Sequence, residues 1–106
     1  MDIDPTRAIE YIQKNAGVYA EAKSNRVHIE NYLKYLKATL VNESTASTLG
    51  AKDTYAYSHP RYKEQLDAMK VAIETEERMK YLLEAAKLKI EVWKTQEYTK
   101  RTEMRM

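Results

Sequence analysis

The residues best equipped for chemistry sit in the stretch TYAYSHPRY, Thr54 to Tyr62, which brings His59 together with Tyr55, Tyr57 and Tyr62. An imidazole beside phenols suits acid–base work, but such a site needs a second polar partner and a pocket. The same stretch has a plainer reading, because a residue before proline is pushed out of helical geometry. Ser58 or His59 then caps a helix starting at Pro60, and the tyrosines close its end. The glutamates of IETEERMKYLLE invite a di-metal site of the kind that joins Glu from facing helices with Glu-x-x-His motifs. Neither His28 nor His59 has a Glu three residues before it, and Glu74 with Arg78 and Glu76 with Lys80 have the spacing of i,i+4 ion pairs. With no cysteine there is no thiol nucleophile or disulfide framework, and two glycines leave little for a phosphate-cradling loop. No catalytic residue, metal or cofactor is assigned, and a non-enzymatic protein is expected.

The best functional candidate is the segment KLKIEVWKTQEYTKRTEMRM at the C-terminal end. From Lys80 onward seven Lys or Arg stand against four Glu, whereas residues 42–79 hold five bases and seven acids. Lys87, Lys94 and Arg101 are seven apart and share one face of a helix; Lys100 and Arg105 add to it, with Trp93 and Tyr98 as stacking groups. Cations interleaved with aromatic rings are what single-stranded nucleic acid binding requires. The competing reading is a solvated helix end whose cations complement the helix dipole, with Trp93 packed inside.

The elements that position these residues are two long helices. In DPTRAIEYIQK, Asp4 caps free N–H groups and Pro5 fits the first helical position. The next proline is Pro60, and Gly17 costs only about 1 kcal/mol relative to Ala. NESTASTLGAKDT has the composition of a connection. The spacing therefore predicts an all-α chain, a single domain with helices over about 5–43 and 60–99, a connection over 44–59 and a frayed basic tail over 100–106. Ala8, Ile12, Asn15, Tyr19, Ala22, Arg26, Ile29, Leu33, Leu36 and Leu40 alternate in steps of four and three, a coiled-coil pattern. The second stripe runs through Tyr62, Leu66, Met69, Ile73, Glu76, Met79, Leu83, Ala86, Ile90 and Trp93, with two successive three-residue steps at Glu76 that would overwind the seam. Folded as an antiparallel hairpin, facing residues sum to about 103, so Leu40 meets Tyr62 and Arg26 meets Glu76 and Glu77 as a structural ion pair. A lone hairpin buries little apolar surface, so self-association into a bundle or ring is expected, with Tyr-rich outer faces as the interface.

The stretch from Tyr55 to Gln96, with its aromatic–Ala–aromatic–Ser–His–Pro start, Glu-rich middle and closing IEVWKTQ, resembles a family of small helical bacteriophage proteins. The resemblance implies a place in recombination or replication gene clusters and transfers no catalytic residue. Secreted helical hairpins with a Trp-x-Gly turn are similar in size, but the turn here, TLGAKD, has no Trp. No apolar run approaches the roughly 18 residues of a membrane span, and MDIDPTRAIE lacks the basic start of a signal peptide. A cytoplasmic protein is expected, in the host cell if phage-encoded. The expectation for function is an oligomeric accessory or adaptor in phage DNA recombination or replication, binding a protein partner, single-stranded DNA, or both. The alternative is a purely structural or protein-interaction module, a scaffold or host-factor inhibitor that binds no nucleic acid.

Overall fold

The computed structural model describes residues 2–105, and among them every regular element is a helix: α1 (Pro5–Glu43), α2 (Leu49–Ser58) and α3 (Pro60–Arg105). α1 keeps the bounds its caps predict. Asp4 Oδ1 accepts from the N–H groups of Thr6 (3.0 Å) and Arg7 (3.3 Å), two donors that the first turn leaves without helical partners.

The expected connection over 44–59 is corrected: a third helix occupies most of it. Thr48, extended at φ −116° and ψ 153°, accepts from Ala51 N–H at 3.1 Å and starts α2. The Ser/Thr/Gly composition that reads as a loop contains the cap of a short helix, because the same hydroxyls serve both. His59 ends α2 and begins α3. Its N–H donates to the Ala56 carbonyl (3.3 Å), its own carbonyl accepts from Tyr62 N–H (3.0 Å), and its ring Nδ1 accepts from Arg61 N–H (3.1 Å). Pro60 forces the extended geometry at His59 that separates the two helices. α3 continues helical to Arg105, beyond the expected end near 99.

Contacts divide the chain into two units, Ala22–Glu76 and Met1–Glu21 with Glu77–Met106. In the Ala22–Glu76 unit the core is Leu36, Leu40 and Ala56, with Val41 and Tyr62 packed against it. Arg61 Nη1 lies 3.4 Å from Glu43 Oε1, and Arg26 bonds Glu76, so numbers rise along α1 as they fall along α3. The numbers of these two pairs sum to 104 and 102, against the expected 103. In the other unit Ala8, Leu83 and Ala86 are buried, with Ile12, Asn15, Tyr19, Ile90 and Trp93 half-buried.

One correction concerns the packed row of α3. Leu66 and Ile73 are exposed; Gln65 and Ala72 take their places, half-buried and buried respectively. The row becomes 62, 65, 69, 72, 76, 79, 83, 86, 90, 93, an unbroken alternation of three and four with no overwound segment at Glu76. The sequence pattern selected the larger apolar residue of each adjacent pair. A uniform helix presents the other one, where small Ala72 allows close approach.

Candidate nucleic-acid interface

Seen along α3, residues advance by about 100° each, so positions 87, 94, 98, 101 and 105 gather on one row. Lys87, Lys94, Tyr98, Arg101 and Arg105 are all exposed, Tyr98 at 71%. Tyr98 is the aromatic ring open to a stacking partner. Lys80, seven residues before Lys87, continues the row; it was missed by the sequence reading, although the same spacing would have found it. Its Nζ stands 5.9 Å from the Tyr81 ring centroid.

Two of the expected residues lie elsewhere. Trp93 is half-buried in the packed row with Ile90, and so does not present its ring as Tyr98 does. Lys100 turns about 140° away from Lys87 and pairs with Glu97 (3.6 Å). On the row itself Glu91 sits between Lys87 and Lys94 and holds Lys94 Nζ at 3.3 Å. Counting Lys80, Lys87, Lys94, Arg101 and Arg105 against Glu91, the row carries five positive charges and one negative, a net +4. Exposed pairs such as Lys94–Glu91 are worth little, so a phosphate can exchange for the carboxylate at small cost.

The expected ion pair is present in the Ala22–Glu76 unit. Arg26 Nη2 donates to Glu76 Oε1 at 3.1 Å and Arg26 Nε donates to Glu76 Oε2, a two-pronged contact on a carboxylate whose side chain is 9% exposed. The second acid on the guanidinium is Glu30 (2.9 Å), one turn further along α1, rather than the expected Glu77. Bonding to Glu76 raises the Arg26 pKa above its ordinary value, outweighing partial burial, and Glu30 adds to the rise. Among the described residues Glu74 and Arg78 form no ion pair with each other, and Glu76 bonds Arg26.

The His59 region is structural in its contacts. Tyr55 meets the imidazole edge-on (5.5 Å), and Tyr57 meets Tyr62 likewise (5.3 Å). Lys37 Nζ lies 4.6 Å from the Tyr57 ring centroid and 3.9 Å from Asp53 Oδ1. Tyr57 first, and Asp53 with it, hold the Lys37 pKa above the ordinary lysine value. The imidazole is engaged as a cap, and these contacts join α1, α2 and α3 inside one unit.

Two grooves have apolar linings. One of about 360 Å³ is formed by Ala22, Asn25, Ile29, Ala68, Val71, Ala72 and Thr75. Another of about 490 Å³ brings Asp2, Asp4 and Arg7 near Leu82, Ala85 and Lys89. Among the described residues no group of three or more His, Asp or Glu is placed to hold a metal ion, and no helix is long and apolar enough to cross a membrane. Comparison with protein-family models, curated proteins and solved structures returns no match.

Proposed function

We propose that this chain is a non-enzymatic accessory or adaptor protein that binds single-stranded DNA, or another flexible polyanion, along α3. The observation that carries the reading is the exposed row Lys80, Lys87, Lys94, Tyr98, Arg101 and Arg105. From Lys80 to Arg105 it covers 26 residues, a rise of about 37 Å at 1.5 Å per step. It combines a cationic track with one exposed ring, the two features a sequence-tolerant single-strand site uses. The phage setting, in recombination or replication within the host cytoplasm, rests on the resemblance of Tyr55–Gln96 to small bacteriophage proteins.

The test is fluorescence anisotropy of a labelled single-stranded oligonucleotide at low and near-physiological salt. Saturable binding that weakens steeply with salt is expected, and replacing Lys94 and Arg101 by Ala should weaken it and flatten the salt slope. Affinity unchanged in the double variant would remove this row from consideration.

A second reading, a protein-interaction module indifferent to nucleic acid, is favoured by the exposed side chains of Ile9, Val18, Tyr35, Val71, Tyr81 and Leu88. Absence of oligonucleotide binding at low salt would select it. A protein partner in DNA metabolism is compatible with either reading.

A further inference from the structure

α3 carries a second apolar row that the packed row and the basic row do not use. Tyr81, Ala85, Leu88, Val92, Thr95 and Thr99 follow one another at steps of four, three, four, three and four, all exposed, with Tyr81 at 62% and Leu88 at 64%. By helical geometry this row lies about 160° from the packed row Leu83, Ala86, Ile90 and Trp93, and about 120° from the basic row. Its two threonines behave as apolar residues. Thr95 and Thr99 donate their hydroxyls to the carbonyls of Glu91 (3.1 Å) and Thr95 (3.0 Å) in their own helix. The row therefore offers water mainly the apolar parts of Tyr81, Ala85, Leu88 and Val92 and the threonine methyls.

We propose that this row is a two-stranded coiled-coil seam and that its occupant is the same row of a second copy, in parallel orientation. The residue classes carry the choice of occupant. With Ala85, Val92 and Thr99 at the a positions and Tyr81, Leu88 and Thr95 at d, the central pair Leu88 and Val92 has the d and a residues that favour two parallel strands. The flanking charges carry the orientation. Glu77, Glu84 and Glu91 occupy the g positions, and Leu82, Lys89 and Gln96 occupy e. An antiparallel pair sets the g row against itself and so places glutamates opposite glutamates. A parallel pair sets each g against the e position five residues on in the other chain, which brings Glu84 to Lys89 of the second copy, twice by symmetry. Among the described residues neither Glu84 nor Lys89 forms an ion pair within its own chain, and Lys89 borders the groove that also holds Asp2 and Asp4.

The inference specifies the self-association expected from the sequence, and it stands apart from DNA binding, because the basic row remains open on the side of α3.

The experiment uses the full chain. Sedimentation equilibrium is expected to give a dimer at micromolar concentration. Leu88→Glu is expected to weaken it by more than about tenfold while helical ellipticity is kept, since Leu88 makes no buried contact in the single chain. Glu84→Lys and Lys89→Glu should each weaken the dimer, and the double charge swap should restore it; these residues are exposed, so their outcome stands even if Leu88→Glu perturbs the fold. Because the chain has no cysteine, Leu88→Cys supplies the only thiol. In the parallel register it meets its counterpart and forms an interchain disulfide under mild oxidation, whereas Arg101→Cys, on the basic row, does not. A monomer at every concentration, a mass unchanged by Leu88→Glu, a charge swap without restoration, or cross-linking equal at both positions would each overturn the proposal. Anisotropy reads DNA binding and sedimentation reads dimerisation, so either can fail alone.

Discussion

Replacing Leu40 by Ala tests the packing that places the Ala22–Glu76 unit around one small core. Leu40 is 0% exposed and belongs to the cluster with Leu36 and Ala56, against which Val41 and Tyr62 pack. Buried Leu→Ala changes cost roughly 2–5 kcal/mol, the lost transfer energy plus the cavity left behind. Taking about 3 kcal/mol, and an unfolding entropy of about 2.1 cal/mol/K per residue over 106 residues, or roughly 0.22 kcal/mol/K, Tm falls by about 13 °C. The matched control is Ile73→Ala. Ile73 is 42% exposed, so about half its transfer energy is at stake, and the better helix propensity of Ala offsets a few tenths of a kcal/mol. The net loss should be about 0.5–1 kcal/mol, or about 2–5 °C. Thermal unfolding followed by ellipticity at 222 nm, at one fixed protein concentration, separates the two. A larger loss for Ile73→Ala than for Leu40→Ala would refute the packed row and return Ile73 to the seam.

Gly17 lies inside α1, has no left-handed φ, and a Cβ there meets nothing within 4 Å, so Gly17→Ala should stabilise the chain by about 0.5–1 kcal/mol, read as a Tm rise of a few degrees. Arg26→Glu should lower Tm and the further change Glu76→Arg should restore part of the loss; additive effects in that cycle would refute a direct pair. The Lys37 pKa is raised above 10.5 in the folded chain, so its contribution to stability is full below that value and is lost as pH rises through the higher folded-state pKa. Unfolding stability followed through that alkaline window should therefore fall less steeply in Lys37→Met than in the wild-type chain.

Several features of this protein are local and were legible residue by residue. Asp4–Pro5 and His59–Pro60 start helices because capping and proline geometry need no tertiary partner. The Arg26–Glu76 contact was legible for a related reason: helical rise is constant, so the two helix boundaries set the register, and opposite charges on two polar breaks in apolar stripes meet. α2 was hidden because Ser, Thr and Gly serve a loop and a capped short helix equally well. The choice of Gln65 and Ala72 over Leu66 and Ile73 was hidden too. Neighbours in sequence lie about 100° apart on the helix, and only the approach of another helix decides which of them turns inward. The same choice drew Trp93 into the packed row and left Tyr98 outside, so the composition of the basic segment came from the sequence while its usable face came from tertiary packing.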